Sequence, residues 1–488
     1  MNYVVDGGDV DTSLTFIEQA RAMGMPVGAA GSGSSHHVER FTDQEREAYC
    51  VLTIDKELYT PPHKRMWTVP PGQGSVFSDE YFRIHLKHYT EQLDMGATIL
   101  QRDEGWMAIS QGYDFNPKAV AAFREYLAEN STAAERAEWG IGDPVSFDIA
   151  EYFRNLDPPV DAGHRWFRGW IPDDPVKEIY DQFIVDGVVD FHQRLRAALN
   201  DHAGRPVPFS CNNTSLQQWT PAHLQFDWAM SELMFRTANP EHLYDRYRVG
   251  LGHGKVQVLS TPKPVGYVED HEAFRILNRQ VIAQAYSLGG LCKAPWDLYL
   301  QAPDGRARYF GDPGDYADLY GFVRGMAPYL EGFEEAAAYG AGIEDVHGWQ
   351  THPVRIEGND DIYAFLRVRP RDAGSPVVIH CVNWSEDLKN HASWDLYIRK
   401  DAIAWENSDD SVVLVKKPVG YNEKLHRLAD RRAEALRLPE QLRGPEQAEA
   451  YSILIDAMPV DPDTAEGGWL RISDLRADPW TVVVIEPL

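Results

Sequence analysis

The sequence predicts an α/β protein: a (β/α)8 barrel of the TIM type over residues 1–338, followed by an all-β sandwich over 339–488. Three observations lead there. Short apolar runs alternate with amphipathic helical segments through the first two thirds of the chain. Those runs end in polar residues, above all in Thr98-Ile99-Leu100-Gln101-Arg102-Asp103-Glu104-Gly105-Trp106, where an apolar stretch stops at two adjacent carboxylates, a glycine and a tryptophan. Near Gly340 the alternation gives way to short strands separated by turn residues.

The elements follow in order. Tyr3-Val4-Val5 reads as a first strand, 14–23 as a helix closed by Gly24, and Pro26-Val27-Gly28-Ala29-Ala30 as a short strand. An excursion over 32–78 carries Pro61-Pro62 and Pro70-Pro71, the marks of loop. A helix over 80–95 feeds the strand over 98–104, and after a second excursion a helix over 179–200 feeds Val207-Pro208-Phe209-Ser210-Cys211. Strands follow at 226–232 and 256–261, then a helix over 272–287 and Gly290-Leu291-Cys292-Lys293-Ala294-Pro295-Trp296-Asp297. That gives six strands after the first helix, or seven with Tyr3-Val4-Val5, where a closed barrel has eight, so an early strand is missing or one lies hidden in an excursion. Beyond Gly340 the strands read as 362–368, 377–382, 411–415 and 480–485, with a charge-rich stretch over 433–449 as a helical or mobile insert.

Composition limits the partners. With 47 Lys and Arg against 74 Asp and Glu, the net charge of −27 repels nucleic acid and anionic membranes and suits a neutral or cationic ligand. Cys50, Cys211, Cys292 and Cys381 are scattered without zinc spacing and read as buried, reduced thiols, which favours a cytoplasmic setting. No basic n-region with an apolar h-region opens the chain, and no run approaches the ~18 apolar residues of a membrane span. No cofactor is expected, and self-association into a homo-oligomer stays open.

In a parallel α/β protein the carboxyl ends of the strands share one face, where ligands bind. The predicted ends deliver Arg102, Asp103, Glu104 and Trp106; Asn212 and Asn213; Glu232; Ser260 and Thr261 with Lys263; and Lys293, Trp296 and Asp297. Carboxylates and amides hold hydroxyl groups, while indole faces stack on the apolar side of a sugar ring. Glycoside cleavage needs one protonated carboxyl for the leaving oxygen and one carboxylate to attack or to activate water. Glu104 and Glu232 end different strands and can oppose each other, whereas Asp103 and Glu104 are neighbours with diverging side chains. Glu104 is therefore expected as general acid/base and Glu232 as nucleophile or base, with Asp103 able to exchange roles with Glu104.

The run Gly96–Trp106, followed by Phe115-Asn116-Pro117 and Ala122-Phe123-Arg124-Glu125-Tyr126-Leu127, resembles the glycoside hydrolase clan A barrels, family 42 β-galactosidases in particular. Ala283-Gln284-Ala285-Tyr286-Ser287-Leu288-Gly289-Gly290 and Pro295-Trp296-Asp297 resemble the closing helix and strand of such enzymes. The resemblance implies Glu104 at the family's acid/base position and Trp296 at its eighth-strand aromatic, with cleavage of an oligosaccharide and no metal. The chain departs from the family in Asp103, where the pattern has Asn, and in Leu259-Ser260-Thr261, which lacks the family's nucleophilic carboxylate. The second acid stands instead on the preceding strand, at Glu232, so the chain reads as divergent.

Other readings stay open. Asp103-Glu104 could be a salt-bridged strand end beside Arg102, and Glu232 could pair with Arg236. A barrel that binds sugar without cleaving it fits the absent seventh-strand acid. A metal-dependent hydrolase using His36, His37, Asp103 and Glu232 fits too, although an adjacent His pair lacks helical ligand spacing. Asp6-Gly7-Gly8-Asp9 carries acids where a phosphate loop needs amides and cations, and Asp312-Pro313-Gly314-Asp315 reads as a turn and helix start.

Overall fold

Parallel strands with helices between them open the chain in the computed structural model, which describes residues 4–6, 27–31, 41–59, 72–102, 113–156, 171–212, 219–231, 233, 238–259, 271–293, 296–301, 307–309, 313–372, 374–386, 393–402, 411–435 and 445–487. These residues form two units, one running up to Ala229 and the other from Met230 onward.

In the first unit β1 (Val4–Asp6), β2 (Val27–Gly31), β3 (Ile99–Arg102) and β4 (Phe209–Asn212) lie side by side in chain order, all parallel. Every residue of β3 and β4 is buried, the pattern of strands covered on both faces. The Asp79–Asp94 helix, capped by the Ser78 side chain, buries Tyr81, His85 and Tyr89, and the Tyr89 hydroxyl donates to the Gln101 carbonyl at 3.4 Å.

Among the described residues three α-helices start with an Asx-Pro pair. Asn116, Asp174 and Asn239 each accept a backbone N–H into their helix, with Pro117, Pro175 and Pro240 at a position whose N–H needs no partner. The long Pro175–Ala203 helix ends at Gly204, whose φ of 63° is left-handed.

The second excursion is helical, as the run Ala122–Leu127 already reads. It folds as the helices Pro117–Glu129, Ala133–Glu138 and Ile149–Asn155. They close an aromatic core on the Tyr180 ring, which meets Phe123 at 4.7 Å, Tyr113 at 4.9 Å and Phe153 at 5.7 Å between centroids. Ile149, Ile171, Val176 and Ile184 fill the same core around the rings.

The strand β5 (Trp228–Ser231) falls at the division between the units. In the second unit β6 (Val256–Leu259) and β7 (Leu291–Cys292) pair in parallel. The run read from the sequence as one strand to Asp297 is two elements. β7 stops at Cys292, and Trp296 opens β8 (Trp296–Gln301), antiparallel to β9 (Ala307–Tyr309). Pro295 stands between them in the chain and has no N–H with which to continue a ladder. Among the described residues no eighth strand extends the series β1 to β7.

Antiparallel strands then take over at β10 (Glu334–Tyr339), inside the second unit. They continue as β11 (Val354–Glu357), β12 (Ile362–Val368), β13 (Val377–Asn383), β14 (Trp394–Arg399), β15 (Ser411–Pro418), β16 (Ile455–Val460), β17 (Asp463–Ala465), β18 (Trp469–Leu475) and β19 (Trp480–Pro487). One sheet has the order β10-β12-β13-β19-β15-β16 and the other β11-β14-β18-β17. Alternate residues of β13 and β19 serve different layers. Val377, Ile379, Cys381, Val483 and Ile485 share a core with Ile356, Leu396, Ile398 and Ile472 of the smaller sheet. Val378, Val382, Val482 and Val484 pack instead with Tyr247, Val281, Ile282, Leu319 and Phe322 from the helices Pro240–Gly252, His271–Ser287 and Ala317–Gly325. The charge-rich stretch after β15 carries the helices Glu423–Ala435 and Pro445–Tyr451.

Candidate functional site

Register puts the strand ends of the first unit at one level. Gly31 lies opposite Arg102 and Arg102 opposite Cys211, so β2, β3 and β4 finish together and Asn212 stands at the same edge. Asp103 and Glu104 follow β3 directly in the chain, and Asn213 follows β4. Asp103, Glu104, Trp106, Asn213, Glu232 and Lys263 lie outside the described residues.

Arg102 is 1% exposed. Its Nη1 donates to His85 Nδ1 at 3.3 Å, its guanidinium lies 5.2 Å from the centre of the Phe191 ring, and Tyr81 shares a hydrogen bond with it. A buried cation demands such acceptors and π faces. The guanidinium is thus engaged inward, against the Asp79–Asp94 and Pro175–Ala203 helices. Asn212, the last residue of β4, is 7% exposed.

The end of β5 is held by its own polar contacts. Ser231 Oγ accepts from Arg246 Nη1 at 2.7 Å and from Gln257 Nε2 at 3.1 Å, one residue before Glu232 in the chain. Burial brings Arg246 down to about 10. Asn239-Pro240 caps the helix that carries it, a signal the strand pattern passes over, and nothing in an arginine at 246 shows from sequence that it turns toward a strand end.

Lys293 follows β7, exposed, and its N–H donates to the Leu259 carbonyl at 2.6 Å. Tyrosines fasten the strand before it. Tyr247 donates to the Leu291 carbonyl at 2.7 Å and Tyr320 to the Cys292 carbonyl at 3.5 Å, while a Cβ on Gly290 would come 1.6 Å from the Tyr247 ring. Only glycine fits there. Trp296 and Asp297 begin β8, with their side chains outside the description.

One carboxyl was not singled out from the sequence. Asp114 is buried, and its Oδ1 accepts from the Asn116 N–H at 2.9 Å and the Leu52 N–H at 3.4 Å. Burial pushes it up to about 6, against the lowering by hydrogen bonds from Ser75, Asn116 and Leu52. Asn116 Nδ2 continues the network to the Cys50 carbonyl at 2.8 Å. A carboxyl near 6 is tuned for proton transfer, but this one points into backbone donors and fastens two loops to a helix start.

The four thiols are free and buried, and burial raises Cys50 and Cys292 to about 12 and Cys381 higher still, far from nucleophilic. Among the described residues no three His, Cys, Asp or Glu side chains gather as a metal site. His36 and His37, the ligands of the metal reading, lie outside those residues. No described helix is long and apolar enough to cross a membrane.

No protein-family model matches the chain. A curated α-agarase from Alteromonas agarilytica is 26% identical over 300 residues, a stretch amounting to 55% of this chain and 20% of that protein. The match therefore spans about a fifth of the relative's length. Solved structures resembling the chain include α-L-fucosidase isoenzyme 2 from Paenibacillus thiaminolyticus, at 8% identity and a TM-score of 0.49, covering 98% of this chain and 90% of that one. An α-amylase from H. orenii follows at 10% identity and a TM-score of 0.43, covering 99% and 84%. Likenesses at these scores transfer no residue role.

Proposed function

We propose that the chain is a glycoside hydrolase acting on a neutral oligo- or polysaccharide, with a (β/α) barrel and a C-terminal β-sandwich. The parallel, in-register pairing of β2, β3 and β4 is the observation that carries this reading. It brings Arg102 and Asn212 to one edge, directly before Asp103-Glu104 and Asn213 in the chain. The α-agarase relative supports the substrate class, and a net charge of −27 favours an uncharged glycan over a sulfated one.

In this reading Glu104 protonates the leaving glycosidic oxygen, and Glu232 attacks the anomeric carbon or takes a proton from attacking water. Glu104 corresponds to the acid/base position of family 42-like barrels, with Glu232 as a departure from that pattern. Asp103, Asn212, Asn213, Trp106, Lys263, Lys293, Trp296 and Asp297 orient the sugar. A fixed, buried Arg102 and the Ser231–Arg246–Gln257 contacts hold the two strand ends still, as positioned catalysis requires. Buried, reduced thiols favour a cytoplasmic setting with an imported oligosaccharide as substrate.

The test is hydrolysis of aryl glycosides and agar-, starch- and galactan-derived oligosaccharides by the wild type, Glu104→Gln and Glu232→Gln, with and without EDTA. Each substitution is expected to lower kcat by at least ~10³-fold while leaving the circular dichroism unchanged. Near-normal turnover in both variants, or loss of activity on chelation alone, would overturn the assignment.

A further inference from the structure

In the first unit β3 and β4 carry polar residues where buried parallel strands ordinarily run apolar. Arg102 turns to His85 and Phe191, on the Asp79–Asp94 and Pro175–Ala203 helices, so that side of β3 is its helix-covered face. Phe209, the register partner of Leu100, meets the Tyr89 ring of the Asp79–Asp94 helix at 5.4 Å. Alternation gives Leu100, Arg102, Phe209 and Cys211 to the helix face, and Gln101, Ser210 and Asn212 to the opposite one. Toward the ends of β3 and β4, that opposite face presents two amides and a hydroxyl.

Ser210 is satisfied within the sheet, its Oγ donating to the Leu100 carbonyl at 3.4 Å. Gln101 is not. It is 8% exposed, and among the described residues its side-chain amide has no hydrogen-bond partner; the Tyr89 hydroxyl donates only to its backbone carbonyl. A buried amide left unpaired costs stability, so a glutamine kept here for packing alone would be a poor choice beside a hydrocarbon of the same size. Its register partners are small residues, Ala30 on β2 and Ser210 on β4, and Asn212 stands diagonally from it, two places past Ser210. In the chain it comes two positions before Asp103. An anion would need a cation on this face, and the Arg102 guanidinium is engaged on the other. An apolar ligand would leave the amide unpaired. An amide offers a donor and an acceptor side by side, the complement of neighbouring hydroxyls on an uncharged sugar.

We propose that Gln101 is a substrate-binding residue, its amide donating to one hydroxyl of a sugar ring and accepting from the next, with Asn212 beside it on the same face. The proposal rests on the glycosidase reading for the class of ligand. The free protein bears the unpaired amide, and the bound sugar supplies its partners, so the residue favours binding at the expense of stability.

Gln101→Met in the full chain tests this, because methionine keeps the length of the side chain and removes both polar atoms. On whichever agar-, starch- or galactan-derived oligosaccharide the wild type cleaves best, kcat/KM is expected to fall about 10- to 100-fold, while the melting temperature stays equal to that of wild type or rises. A purely structural glutamine would show the reverse, a lower melting temperature. Unchanged kcat/KM would overturn the proposal, as would a loss of activity that comes with a loss of thermal stability. If the wild type cleaves none of these oligosaccharides, calorimetric titration with the same set decides. Binding that weakens at least about tenfold in Gln101→Met would overturn the glycosidase reading and sustain the binding residue. Binding equal in the two proteins, or absent from wild type, would overturn the proposal as well.

Discussion

Replacing Asp114 by asparagine separates a structural carboxyl from a catalytic one. The native carboxyl is pushed up to about 6 by burial, against ~3.9 in an unfolded chain. A difference of roughly two units at ~1.36 kcal/mol each makes the ionised form cost the native state about 3 kcal/mol at neutral pH, relative to the protonated form. Because the folded pKa is the higher one, the favourable contribution is complete below pH ~4 and is lost as pH rises through about 6. Asparagine stays neutral and keeps an oxygen to accept the Asn116 and Leu52 N–H groups. Asp114→Asn is therefore expected to be more stable than wild type at pH 7.5, by ~1–3 kcal/mol, and nearly equal to it at pH 4. Urea unfolding followed by tryptophan fluorescence at the two pH values checks this. A variant less stable at pH 7.5, or a gap independent of pH, would refute the linkage. Activity is expected to persist in the variant; its abolition, together with loss of a rate-controlling ionisation near 6, would make Asp114 a proton-transfer group instead.

Two further perturbations probe the second unit. His380 is fully buried on β13 beside Trp480, its ring nitrogens without a hydrogen-bond partner among the described residues, and burial with the nearby Arg367 charge holds it well below 6.5. Its folded pKa is depressed, so stability is full above ~6.5 and falls as pH drops below that value. His380→Leu is expected to flatten this acid limb and add ~1–3 kcal/mol, and thermal unfolding between pH 5 and 8 would show it; an unchanged limb counts against the assignment. Arg279 donates to both Asp318 oxygens, at 2.8 and 2.7 Å, between two buried helices. Arg279→Met strands that carboxylate and is expected to cost ~3–5 kcal/mol, most of it recovered in Arg279→Met/Asp318→Leu; equal loss in single and double variants would argue for packing rather than charge.

Much of the framework was legible. Every strand of the α/β series had its apolar run, from Val4–Asp6 to Leu291–Cys292, and the strands Ile362–Val368 and Trp480–Pro487 stood nearly where alternation put them. One thing misled. The strand after Gly290 looked longer than it is, because apolar residues on both sides of Pro295 read as one run.

Site chemistry divides along the same line. Local sequence brought Arg102 and Asn212 to strand ends, because strand propensity and turn residues act within a few positions. Tertiary structure alone decided what those residues meet. Arg102, expected to bind substrate at the strand end, is buried between His85 and Phe191, seventeen positions back and some ninety ahead in the chain. Asp114 is raised by burial among segments distant in the chain, and Ser231 is clasped by a helical arginine fifteen residues on. Solvation and hydrogen bonding depend on which surfaces the fold brings together, and no spacing along the chain records that.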